Sequence, residues 1–204
     1  MFIRDNHRHA WARAAIACAL LTACDADPEP ESSATGGDDG TIADVEPPRA
    51  WAPLSDPLAW APVAASDDPF ADERPAEVVC AAEDGWRREA EGVEIDTGAC
   101  NYLALSQPLP RALAAGEPLR ISAWWQNLIA TAPAEGHIAV AVDGVVVWEE
   151  RVAIPGPADA RDLIFAAPEG APAGAPITLH LHNHGANTWR FQGLFAGEPA
   201  PTGE

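Results

Sequence analysis

The chain has 204 residues, 31 of them acidic against 12 basic, and every basic one is an arginine, for a net charge of −19. A surface this anionic repels phosphate backbones and anionic headgroups alike, which excludes nucleic acid as a partner and direct electrostatic adhesion to a membrane. The acidity itself serves solubility.

The N-terminus is laid out as an export signal. Arg4, Arg8 and Arg13 make a positive segment, residues 14–21 an apolar one, and Thr22-Ala23 supply small residues before a cut. The apolar run is about half of the roughly 20 residues a membrane-spanning helix needs. Leu21-Thr22-Ala23-Cys24 resembles the lipobox of bacterial lipoproteins, with Cys24 as the lipidated residue. That resemblance implies a diacylglyceryl group plus an amide-linked chain, and so a protein attached by lipid in the cell envelope, at its periplasmic face or at the cell surface. Acyl burial of about 0.8 kcal/mol per methylene makes such an anchor firm once two or more chains are present. Asp25 resembles the inner-membrane retention residue of enteric bacteria, a rule that does not carry to other groups, so inner and outer membrane both stay open. Loss of residues 1–23 removes three arginines and Asp5, leaving nine arginines against thirty acids.

Of the four cysteines, Cys18 lies in the export signal and Cys24 is the lipid acceptor, which leaves Cys80 and Cys100. An even pair in an exported chain predicts a disulfide, since the alternative, a metal site, lacks any CxxC-type partner. A loop of this size, about twenty residues, gains roughly 3 kcal/mol from closure.

Residues 24–75 are rich in Pro, Asp, Glu, Ser, Gly and Ala and poor in large apolar residues. Such a composition does not offset ordering entropy and predicts a disordered, acidic, self-repelling linker. Two Trp-Ala-Pro tripeptides, at Trp51 and Trp60, interrupt it. They read as a docking peptide for an envelope protein partner, as a segment folding back on the domain's own edge, or as a stray apolar patch.

From residue 76 to 197 short apolar runs recur between Gly, Pro and Asp breaks, at 78–80, 93–96, 100–106, 119–125, 137–142, 145–150, 162–166, 177–182 and 188–195. Eight or nine short strands in about 120 residues predict an all-β, antiparallel sandwich, with a single short helical turn around 83–91 and a disordered tail at 198–204. Asp143-Gly144 supplies the positive φ of a two-residue type I′ hairpin. It predicts Val142 opposite Val145, Val140 opposite Val147, Ala139 opposite Trp148, and His137 opposite Glu150 as a surface ion pair.

Two constellations are candidates for a site. In a strand over 177–182, Ile177, Leu179 and Leu181 face the core and Thr178, His180 and His182 the other side, with His184 in the same parity. Imidazoles in this pattern suit zinc or copper. Neighbours lie about 6.6 Å apart and the outer pair about 13 Å, so at most two share an ion unless the chain bends at Asn183-His184-Gly185. The segment departs from the cupin pattern, which places a glutamate after His-x-His where this chain reads Gly185-Ala186-Asn187-Thr188. The second constellation is aromatic: parity places Trp125 inside and Trp124 on the outer face with Arg120, Ser122 and Gln126. On the last strand Arg190 and Gln192 share a parity. An exposed tryptophan with planar polar neighbours can stack on a sugar ring and bond its hydroxyls; Trp124 can equally be covered by the linker or a loop.

The strand order, the early cysteine pair, the Asp-Gly hairpin and the terminal Asn183-His184-Gly185-Ala186-Asn187-Thr188-Trp189 resemble the galactose-binding-like jelly rolls of carbohydrate-binding modules. Over 76–197 this resemblance implies a ligand held by end loops or a concave face, in some members beside a structural calcium ion. No calcium ligand maps onto a residue of this chain. For an enzyme the motifs are missing: Ser106 and Ser122 sit in no nucleophile elbow, and there is no phosphate loop or HExxH. Glu149 and Glu150 point to opposite faces of a strand. The expectation is therefore a lipid-anchored, non-catalytic binding module for carbohydrate, with a metal protein or enzyme built on the His180/His182 face as the alternative.

Overall fold

The computed structural model describes residues 50–197. The export signal, the lipid site Cys24, linker residues 24–49 and the tail at 198–204 lie outside the described residues. Eleven strands run in order: β1 (Trp51–Pro53), β2 (Ala61–Pro62), β3 (Trp86–Glu89), β4 (Gly92–Asp96), β5 (Tyr102–Pro108), β6 (Pro118–Trp125), β7 (Ala134–Val142), β8 (Val145–Ile154), β9 (Asp159–Ala166), β10 (Pro176–His182) and β11 (Thr188–Gly197). They form two antiparallel sheets, β3-β4-β11-β6-β9 with β1 also on β11, and β2-β5-β10-β7-β8. Among the described residues the only helical turns are 3₁₀, at Ala65–Asp67 and Ala71–Glu73, and no helix is long and apolar enough to cross a membrane.

Alternation drives the architecture. In β6, Leu119, Ile121, Ala123 and Trp125 are buried while the residues between them are not. Trp125 pairs in register with Trp189 of β11, their rings 4.9 Å apart at the centre of the sandwich. From the other sheet Ile138, Val140, Ile177, Leu179 and Leu105 meet them, each fully buried. Cys80 and Cys100 are disulfide-bonded as the cysteine count predicts, a bond that belongs to an oxidising compartment.

Three expectations are corrected. The domain begins near residue 50, not 76: β1 extends the edge of β11 through Trp51–Gly197 and Pro53–Phe195 pairs, and β2 pairs with β5. Trp60 is 1% exposed, its ring edge-on to Phe191, and its carbonyl accepts two bonds from the Arg88 guanidinium, at 2.6 and 2.9 Å. It is a core residue rather than a docking side chain, and together with Leu54 and Phe70, also buried, it ties the segment to the sandwich. The expected helical turn at 83–91 is instead strand β3 hairpinned onto β4. In the Asp143-Gly144 hairpin both residues have positive φ, 52° and 79°, and Val142 faces Val145 as expected. A bulge then shifts the register: Val140 faces Trp148, Ala139 faces Glu149, and His137 faces Arg151 instead of Glu150. The extra residue on β8 has no sequence signature because it is one more apolar residue in a run of valines.

Candidate functional site

The outward face of the second sheet is assembled from two adjacent rows. Tyr102, His182, His137 and Arg151 lie side by side across β5, β10, β7 and β8, and Ala104, His180, Ala139 and Glu149 form the next row. The sheet pleat puts all eight on one side. Small residues flank His180 on both neighbouring strands, leaving a hollow that the segment around the two 3₁₀ turns crosses as a strap. Phe70 fills the hollow and stacks on the His180 ring at 4.4 Å, while Tyr102 closes it at 4.9 Å.

Asp68 fixes the strap. Its carboxylate accepts from the Phe70 backbone N–H (3.0 Å), the Arg74 guanidinium (2.9 Å) and the Tyr102 hydroxyl (2.6 Å). Burial and then the Asp68 contact hold the Tyr102 hydroxyl firmly in its protonated form. The second turn thereby carries Glu73 over the histidines. Glu73 Oε2 lies 2.8 Å from His137 Nδ1, 3.6 Å from His180 Nε2 and 3.8 Å from His182 Nδ1, and Oε1 accepts from Arg151 at 2.6 Å. His137 Nε2 meets Glu149 at 3.0 Å. A neutral imidazole has one donor, so both contacts of His137 are hydrogen bonds only in its imidazolium form.

Electrostatics differentiate the groups. Burial pushes the Glu73 carboxyl upward, but the bonds from His137 and Arg151 outweigh it and bring its pKa down to about 2. Burial, reinforced by the neighbouring His137, lowers the His180 pKa to about 4, so that ring is neutral with a free lone pair at neutral pH. His182 is lowered too, by burial and by His184.

Beside this cluster opens a cleft of about 1220 Å³, bounded by Glu73, His137, Arg151, His182, His184 and the segment from Ile129 to Glu135. Its far wall is braced. Asn187 Oδ1 accepts from the Ile129 N–H, and Thr97 Oγ1 accepts from Asn183 Nδ2 at 2.8 Å and from the Asn187 backbone N–H at 2.9 Å.

The residues expected from sequence fall into two groups. His180 and His182 are on the strap-covered face, His180 fully buried (0% exposed) and His182 half-buried; His184 stands exposed past the strand end, 4.7 Å from the His182 ring. Glu73 carries no signal in the sequence, and His137, expected in a surface ion pair, is 3% exposed. Arg120, Trp124, Arg190 and Gln192 do share the outer face of the first sheet, with Gln126 exposed past the end of β6. Several of their polar groups are already engaged. Arg120 forks onto Asp162 with two 2.6 Å bonds, Arg190 binds Glu89 and Glu94, Ser122 donates to Gln192, and the Arg190 guanidinium covers Trp124 at 5.4 Å.

No family model matches the chain, and no curated protein matches it. Among solved structures, latent dimeric PorU from Porphyromonas gingivalis aligns at 11% identity and a TM-score of 0.36, covering 50% of this chain and 10% of PorU. A CBM4 module aligns at 15% identity and 0.34, covering 70% of this chain and 88% of the module. A thermostable GH87 α-1,3-glucanase catalytic unit from Streptomyces thermodiastaticus aligns at 17% and 0.29, covering 55% and 21%. The chain thus spans about a tenth of PorU and a fifth of the glucanase unit. What defines the protein is its own architecture: an antiparallel β-sandwich with a histidine–glutamate cluster at the inner end of a cleft.

Proposed function

We propose that this is an exported lipoprotein, anchored through Cys24, whose sandwich is a non-catalytic module holding a carbohydrate in the cleft beside the strap. The observation that carries this reading is the cleft itself. Its volume of about 1220 Å³ exceeds that of ordinary small-molecule pockets. Its walls pair apolar Ile129, Ala130 and Pro133 with the Thr131 hydroxyl, the Glu135 carboxylate and the His182 and His184 imidazoles. That mixture suits a sugar, whose ring presents C–H faces and hydroxyls to the same wall. For a non-catalytic role it counts that Glu73, at the inner end of the cleft, has both oxygens engaged, by His137 and Arg151.

A glycan array followed by calorimetry tests it. His184→Ala is expected to weaken the best ligand about fivefold to tenfold, the worth of one hydrogen bond of roughly 1–1.5 kcal/mol. Trp124→Ala should leave binding unchanged. An array without a hit, or loss in Trp124→Ala with none in His184→Ala, would overturn the assignment. For the anchor, intact mass of membrane-extracted protein should exceed the mature polypeptide by its acyl groups and lose them in Cys24→Ala; an unlipidated, soluble wild type contradicts it.

A further inference from the structure

His180 poses a problem that the packing around it does not solve. Its side chain is fully buried, and neither ring nitrogen has a hydrogen-bond partner among the described residues. A buried polar group without a partner is destabilising, and a phenylalanine would stack on Phe70 as well without that cost. Nε2 points toward Glu73 Oε2 at 3.6 Å, too far for a hydrogen bond, and the ligand atoms of Glu73, His137 and His180 all lie within 4.8 Å of one another.

Those separations have a meaning. Donors bound to one tetrahedral ion at about 2.0–2.1 Å stand about 3.3 Å apart. The observed edges from Glu73 Oε2 are 2.8 Å to His137 Nδ1 and 3.6 Å to His180 Nε2. We propose that Glu73, His137 and His180 bind a divalent transition-metal ion of the zinc class, with the cleft as the route of entry. Imidazole and carboxylate suit such an ion.

The outer contacts are those a metal centre uses to aim its ligands. Glu149 takes the Nε2–H of His137 and so turns Nδ1 into the site, while Arg151 holds the remaining oxygen of Glu73. Phe70 and Tyr102 lock the plane of His180, whose neutral form already offers a lone pair. An ion at Nδ1 takes that nitrogen's lone pair, so the ion and a proton compete for the position between His137 and Glu73. Asp72 at the mouth and Glu149 behind His137 add negative charge, against which stands the Arg151 guanidinium bonded to Glu73. This site does not depend on what the cleft holds: a sugar ligand can fail while the ion binds, and the reverse.

The test is dialysis of the purified full chain against Zn²⁺ with metal analysis, together with the visible spectrum after Co²⁺ loading. One ion per chain and the absorption bands of a low-coordinate cobalt site are expected. Glu73→Gln, a half-buried position on the strap, and His180→Phe, which keeps the stacking, should each lower Co²⁺ affinity at least about tenfold. His184→Ala should leave Co²⁺ affinity unchanged. Absence of bound zinc and cobalt, or full affinity retained in Glu73→Gln, or affinity lost with His184→Ala, overturns the assignment; circular dichroism of each variant confirms that a lost site is not a lost fold.

Discussion

Trp60→Ala is the sharpest probe of where the domain begins. The side chain is 1% exposed, packed edge-on against Phe191, and its carbonyl anchors Arg88 of β3. A tryptophan buries about 150–250 Å², which at 25 cal/mol per Å² is about 4–6 kcal/mol as an upper figure. Measured truncations of buried aromatics cost about 3–5 kcal/mol, and about 4 kcal/mol is expected here. Against a domain stability of about 5–15 kcal/mol that is a large fraction. Urea unfolding followed by circular dichroism should move the midpoint down by about 2 M if the slope is about 2 kcal/mol/M. The comparison is Leu58→Ala, whose side chain is 65% exposed and whose loss should change stability by less than about 0.5 kcal/mol. A Trp60→Ala midpoint equal to that of wild type would mean the segment before residue 76 is a linker and that the burial argument fails.

Other outcomes follow from the same contacts. Gly136→Ala places a methyl 2.8 Å from Trp189 Cζ2 and 3.0 Å from Asn183 Oδ1, both on buried side chains. It should cost about 1–3 kcal/mol, and a melting temperature equal to wild type would contradict the packing between the sheets. Replacing both Cys80 and Cys100 by alanine opens a loop of sequence separation 20 and should cost about 3 kcal/mol in denaturant unfolding; no change would refute the loop-closure argument. Burial raises the Glu117 carboxyl, but bonds from Arg111 and the Ala114 N–H bring it below its ordinary value of 4.5. Its contribution, about 1 kcal/mol or less given the exposed arginine, is therefore complete above the ordinary carboxylate range and lost as pH falls through the folded value. Glu117→Gln should lower stability at pH 7 and flatten the acid limb of the profile, and an unaltered acid limb would show that the pair is not formed.

Much of the sandwich is legible in the chain because alternation reports burial directly. Leu119, Ile121, Ala123 and Trp125 declare one face of β6, and the parity of Ile177, Leu179 and Leu181 declares that of β10. Strands β1 and β2 are not legible: three and two residues long and containing proline, they have no period to read, and they exist only because β11 and β5 offer edges. The site divides along the same line. The outward parity of His180 and His182 can be read from alternation, but outward does not mean exposed here, because Ala104 and Ala139 leave room for Phe70 to cover the face. Glu73 belongs to an acidic stretch that looks solvated, and what recruits it is a 3₁₀ turn pinned by Asp68 to Tyr102, 34 residues away. A single bulge residue on β8 sets Arg151 instead of Glu150 opposite His137, and the strap, through Glu73 and Phe70, is what covers it.

The most direct test of the strap-covered site is a zinc-edge anomalous map from crystals of the chain grown with Zn²⁺. One peak is predicted about 2.0–2.1 Å from Glu73 Oε2, His137 Nδ1 and His180 Nε2, at the inner end of the cleft. A map with density only at His184 or at surface carboxylates, and with His180 Nε2 hydrogen-bonded to a water or a protein group, would contradict it.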